Sequence, residues 1–165
     1  MVEAGELIKY STAVRRRFAD TLSSLPQETV EKNMEASFHS MKNIMLHMID
    51  NEDYIVNYVI TGKADAYVRK KSEDYAELST VLKHMEDVEA KTASFLSAAD
   101  DAELGKTVSL RTRNGDVFSL SVEECLLQTF TEQLYHMGEL IALLWQLNIE
   151  PPRMQWFYNN PRSPA

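Results

Sequence analysis

A chain of 165 residues, 44% hydrophobic and 25% charged with five Gly and five Pro, is long enough for one domain, residues 1–165, whose core needs no disulfide or metal to hold it. Its formal charge of −8 repels phosphate backbones and anionic lipid surfaces, which argues against nucleic-acid and membrane binding. The low Gly and Pro content favours long helices, and the lone Cys125 excludes an internal disulfide framework.

Leu7, Tyr10, Val14, Phe18 and Leu22 recur at three- and four-residue spacing, predicting an amphipathic helix over 3–24 that stops before Pro26. Within it, Arg15, Arg16 and Arg17 occupy consecutive positions, so they spread around the helix as a solvated or salt-bridged face and form no polyanion stripe. Gln27 to Lys32 is compatible with a short helix, whereas Met34 to His39 has no strong period and reads as a connection. Ser40 is a suitable N-cap for a second helix over Met41–Ile60, whose apolar arc of Met41, Ile44, Met45, Met48, Ile55, Val56 and Val59 ends at Thr61-Gly62. A third helix is expected over Ala66–Ala98, apolar on one side and charged on the other. From 106 to 120 the pattern alternates around Asn114-Gly115, predicting a two-stranded hairpin whose turn dipeptide accepts positive φ. Ser121 to Glu124 has capping-box form, and a fourth helix is expected from Val122 to Asn148, before Pro151-Pro152. The tail from Met154 to Tyr158 is too aromatic for water and is expected to pack on the bundle or on a second subunit. The fold class predicted is all-α, a four-helix bundle with a small β-hairpin before the last helix, and such bundles build ligand sites from inward-facing side chains.

No apolar run approaches the roughly 20 residues needed to span a bilayer, and the amino terminus lacks the apolar core of a signal peptide. A cytoplasmic protein is therefore the expectation.

The chemistry concentrates on the fourth helix. Glu132 and His136 stand four residues apart, one turn of helix, so one face offers two ligands to a single metal ion. Advancing about 100° per residue puts His136 on the core side with Thr129, Leu140 and Leu143, and Glu132 at its edge, where an unpaired carboxylate is costly to bury. The same construction places His47 on the flank of the second helix's apolar arc, as the third ligand. Two neutral imidazoles and a carboxylate suit a borderline divalent ion, zinc or nickel first, then iron or manganese. Three protein ligands leave positions open for water or substrate. His39 falls in the connection and His84 in a charged run read as a solvated face, so neither joins the site. Glu52 projects into the apolar arc of the second helix and calls for an ion pair with Arg15, Arg16 or Arg17. Asp50 is a candidate partner for the other ring nitrogen of His47. Cys125 is read as a small buried hydrophobe and not as a nucleophile.

These residues carry a resemblance. The run from Met41 to Tyr54, where His47 is followed by an acidic residue and an aromatic, resembles the second-helix motif of the DinB/YfiT-like metal-binding four-helix bundles. The closing stretch is similar in order too: a turn at Gly115, a capped helix, the Glu132/His136 pair, Gly138 two residues later, and a Pro-containing exit at Ile149 to Pro152. The resemblance implies His47, Glu132 and His136 as metal ligands, with one departure: the family usually has histidine where this chain has Glu132. It implies a divalent metal ion, a homodimer, and kinship with thiol-dependent S-transferases and metal-dependent hydrolases. The expected function is thus a metal-dependent enzyme that activates a thiol or water on a small-molecule substrate. The competing expectation is a non-enzymatic bundle that binds a small ligand, or only dimerises, with Glu132 marking a lost metal site.

Overall fold

The computed structural model describes residues 3–159. Four long helices form the body: α1 (Ala4–Ser23), α3 (Met41–Glu52), α4 (Leu78–Ala98) and α6 (Val122–Gln146). Short helices α2 (Gln27–Glu31) and α5 (Asp101–Leu104) lie in the connections, α7 (Trp156–Asn159) follows the last long helix, and strands β1 (Thr107–Arg111) and β2 (Val117–Ser121) form the hairpin. In the bundle α1 and α3 lie on opposite corners, each packed between α4 and α6. Among the described residues no helix is long and apolar enough to cross a membrane. The all-α bundle with a hairpin before the last long helix is the architecture that the residue periodicities predict.

Local chemistry fixes where the site-bearing helices begin. The Ser40 hydroxyl accepts from the Asn43 amide at 3.3 Å and starts α3. Ser121 and Glu124 make both bonds of a capping box, at 3.1 and 2.7 Å, and start α6 directly after β2. At the other end of α6, Asn148 takes φ 56° and the Ile149 amide reaches back to the Leu144 carbonyl at 2.9 Å. That is a Schellman closure, and it stops the helix at Gln146, short of the expected Asn148.

Three further boundaries differ from expectation. The second helix is not α-helical to Ile60: from Asp53 to Val59 it is wound as a π-helix, with the Ile60 amide bonded to the Ile55 carbonyl five residues back at 3.0 Å. Its apolar period is continuous across that change, so spacing alone does not reveal it. The third helix starts at Leu78, not Ala66, because residues 64–77 run as an extended segment with two single 3₁₀ turns. There Tyr67 and Tyr75 serve as loop anchors in place of a helix face: the Tyr67 ring packs against Tyr54 with centroids 4.7 Å apart. The hairpin turn is a three-residue loop in which only Gly115 has positive φ, 92°, with its amide bonded to the Thr112 carbonyl at 3.0 Å. Asn114 is not in the left-handed region, since a type I turn followed by a Gly bulge needs only one such residue.

The apolar core has two parts, one around Phe18, Met45, Val81 and Leu140, the other around Ile8, Val59, Val122 and Leu126. Along α3, α4 and α6 a layer of buried charge falls between them. Arg15 is fully buried and holds Glu52 at 2.5 Å and Glu89 at 2.9 Å, while Arg16 reaches Glu89 at 2.7 Å from the surface. The expected pairing of Glu52 with the arginine run is therefore made by Arg15, which belongs to the core and not to a solvated face. Burial opposes the charge on Arg15, but the two carboxylates outweigh it and hold the guanidinium more firmly protonated than usual. Gln133 completes the layer by donating to the Met48 carbonyl at 3.0 Å, a bond between α6 and α3. Of the aromatic tail, Met154 and Trp156 pack on the bundle, where the Tyr10 hydroxyl donates to the Met154 carbonyl. Phe157 and Tyr158 stay exposed.

Candidate metal centre

The Gln133–Met48 bond sets the register that matters for chemistry, because Gln133 follows Glu132 and Met48 follows His47. With α3 and α6 aligned in this way, His47, Glu132 and His136 meet: one ligand atom from each lies within 4.8 Å of the others. The Oε1 atom of Glu132 is 3.7 Å from Nε2 of His47 and 3.8 Å from Nε2 of His136. These separations are too long for hydrogen bonds. They are close to the spacing of about 3.3–3.6 Å between atoms that share one tetrahedral ion at metal–ligand distances of about 2.0–2.2 Å. The two edges from Glu132 fit a divalent ion with a contraction of a few tenths of an ångström, and the edge between the imidazoles of His47 and His136, within 4.8 Å, closes by a larger approach of the two rings.

The protonation states suit the same role. On His136, Nδ1 lies 2.5 Å from Oε2 of Glu139. Glu139 also accepts from the Ser37 hydroxyl at 2.8 Å and the Ser37 amide at 3.3 Å. Burial pushes this carboxyl up, but the bonds from Ser37 and His136 outweigh it and hold it below the usual carboxylate range. An ionised Glu139 keeps the His136 proton on Nδ1 and turns the Nε2 lone pair toward Glu132, the arrangement that orients ligating histidines. His47 lies flat against Phe38, with ring centroids 3.9 Å apart at 17°. Burial, and next the nearby His136, Arg69 and Arg113, push its imidazole down to about 4, so the ring is neutral near pH 7. Glu132 keeps 31% of its side-chain surface exposed, which relieves the burial cost that its position at the core edge suggested.

The cluster forms part of the wall of a cavity of about 1020 Å³ bounded by α3, the π-helix, the segment around Tyr67, the hairpin and α6. Five aromatic side chains, Phe38, Tyr54, Tyr67, Phe118 and Tyr135, contribute to a wall that also carries polar and charged groups. Wide helical segments of the π type recur at functional sites; here the segment carries Tyr54, whose hydroxyl donates to the Arg111 carbonyl at 2.8 Å and ties the hairpin over the cavity.

The structure thus brings together all three residues singled out by spacing and phase. Other assignments change. Asp50 does not serve His47: it accepts from the Lys70 amide at 3.2 Å and from the Tyr67 phenol, and burial pushes its carboxyl up. His84 is half-buried beside Tyr75, with Nε2 enclosed, so it is not on a solvated face; burial, its largest influence, lowers its affinity for a proton. Cys125 is fully buried, and burial pushes its thiol up to about 11, in keeping with an inert hydrophobe. Glu139, Ser37, Phe38 and Gln133 escaped the sequence reading. Glu139 had a usable signal, since it lies three residues after His136 on the same helical face. Ser37 and Phe38 had none, because the connection that carries them is shaped by positive φ at Glu35 and His39 and by a bridge between Ala36 and His39.

The fold is shared with solved structures. A DinB-like protein from Bacillus subtilis superposes with a TM-score of 0.67 at 14% identity, covering 91% of this chain and 98% of that one. A DinB-like protein from Bacillus cereus gives a TM-score of 0.62 at 16% identity, covering 90% and 95%. No curated protein matches the sequence. The family model that does match, over residues 1–162, is that of the DinB family, and the chain belongs to that family.

Proposed function

We propose that the protein is a metal-dependent enzyme of the DinB type, in which His47, Glu132 and His136 hold one divalent ion at the wall of a substrate cavity. The observation that carries this reading is the convergence of three ligand atoms within 4.8 Å beside a cavity of about 1020 Å³. Zinc or nickel suits the two-nitrogen, one-oxygen donor set. The bound ion would supply Lewis-acid activation of a water or thiol at a position the protein leaves open. The chain's own groups do the rest. His47 presents a neutral ring, Glu139 accepts from Nδ1 of His136 and so turns Nε2 of that ring toward Glu132, and Phe38 shields one face of His47 from water. Glu132 supplies a negative charge that offsets part of the ion's, in place of the family's usual third imidazole. The reaction class is thiol transfer or hydrolysis on a small molecule, the size that the cavity admits. As part of the same reading the protein is a single-domain cytoplasmic homodimer; the exposed Trp145, Phe157 and Tyr158 supply apolar area for the pairing.

Metal analysis of protein purified without an affinity tag, beside the double variant His47→Ala/His136→Ala, tests the proposal. The expected result is about one divalent ion per chain in the parent protein, as one set of three protein ligands requires, and near none in the variant. Equal, negligible metal in both would overturn it in favour of a non-enzymatic ligand-binding bundle.

A further inference from the structure

The cavity has a second chemical character that the metal ligands do not use. Arg69, from the segment after the π-helix, and Arg111 and Arg113, from the hairpin, all border it. None of the three guanidiniums makes an ion pair or hydrogen bond among the described residues, although the charge of Arg69 is felt at Asp50 and those of Arg69 and Arg113 at His47. Unpaired arginine is unexpected here, because the chain carries 25 acidic residues against 17 basic ones, and carboxylates are abundant enough to pair scattered cations. Two separate elements bring these arginines to one mouth. Of the two cavity carboxylates, Asp50 is engaged by Tyr67 and the Lys70 amide, and Glu132 faces the two imidazoles at 3.7 and 3.8 Å with no arginine paired to it. Arg69 and Arg113 also border an adjoining cavity of about 410 Å³ that carries Lys70 and Lys71. The mouth is therefore a cationic patch on an anionic protein, a local reversal of field that raises the concentration of anions.

We propose that Arg69, Arg111 and Arg113 form an anion subsite, and that the substrate is a small molecule with an apolar or aromatic body and an anionic group remote from the reacting atom. The planar, multi-donor guanidinium matches carboxylate and phosphate oxygens. The rings of Tyr54 and Tyr67, 4.7 Å apart, provide the surface for the apolar body. This assignment rests on the reading of the cavity as the substrate chamber, but not on the metal. The bond from the Tyr54 hydroxyl to the Arg111 carbonyl ties the backbone of the hairpin that carries Arg111 and Arg113 to the π-helix.

The test uses two fluorescent probes with the same ring systems: 8-anilinonaphthalene-1-sulfonate, which is anionic, and N-phenyl-1-naphthylamine, which is not. The parent protein is expected to bind the sulfonate about tenfold tighter than the neutral probe, the sum expected of three solvent-facing charge contacts. The triple variant Arg69→Gln/Arg111→Gln/Arg113→Gln should bring the sulfonate to the affinity of the neutral probe and leave the neutral probe unchanged. Unchanged sulfonate affinity in that variant, or an equal fall for both probes, would overturn the subsite. The His47→Ala/His136→Ala variant separates the two proposals. A preference for the sulfonate that survives there supports the arginines as its source, whatever the metal content proves to be. A preference lost there with the arginines intact assigns anion binding to the metal and overturns the subsite alone.

Discussion

Glu139 is the residue on which the geometry of the candidate centre most depends without being one of its three ligands. Its carboxylate fixes the tautomer and the tilt of His136 and is itself held by Ser37. Glu139→Gln keeps the shape and removes the charge, so metal affinity measured by chelator competition should fall about 10- to 100-fold while the helical circular dichroism stays unchanged. Cys125 makes the opposite case, a chemically capable group that the fold disarms. With no exposed surface and its thiol pushed up to about 11, it should remain unmodified by a disulfide reagent at pH 8. It should then react with one equivalent once the protein is unfolded in guanidinium. At this scale the sequence was informative where helical phase governs. His47, Glu132 and His136 were legible because one turn of helix fixes which side chains share a face. Ser37 and Phe38 are not, because no period encodes a connection with two left-handed residues, and the partners of Asp50 are not, because Tyr67 and Lys70 lie in a segment whose apolar spacing predicts a helix.

Among the elements, the contact between α3 and α6 decides whether a site exists. The buried layer of Arg15, Glu52, Glu89 and Gln133 lies at the level of that contact, and Gln133 bonds the α3 backbone directly. Arg15→Met would leave Glu52 without its cation in a site 1% exposed. Such a break in a buried pair typically costs about 3–5 kcal/mol, so the urea unfolding midpoint should fall sharply with the slope unchanged. A midpoint within experimental error of the parent would show that the layer does not hold the bundle. Element existence was legible from apolar spacing for all four long helices and the hairpin. The π-helical stretch was not, since Ile55, Val56 and Val59 satisfy an α-helical period as well as the observed one. The start of α4 was misplaced for a related reason: Tyr67 and Tyr75 fit a helical stripe, but tertiary contacts with Tyr54 and His84 hold them in loop conformations.

For the molecule as a whole, the bundle supplies a rigid wall and the hairpin a roof, so that a cluster of donors borders a sizeable aromatic cavity. Composition foreshadowed a helical protein but not the cationic mouth of that cavity, because Arg69 and Arg113 are 44 positions apart in sequence and only folding brings them to one rim. The substitution of a carboxylate for the family's usual histidine at Glu132 is compatible with that architecture. Its side chain approaches both imidazoles at nearly equal distances, 3.7 and 3.8 Å. The central claim is that this triad is a metal site, and anomalous diffraction from crystals equilibrated with zinc or nickel, collected on both sides of the metal absorption edge, addresses it directly. The account predicts one edge-dependent peak about 2.0–2.2 Å from Nε2 of His47, Nε2 of His136 and a carboxylate oxygen of Glu132. No peak there, or a peak held by other residues, would contradict it.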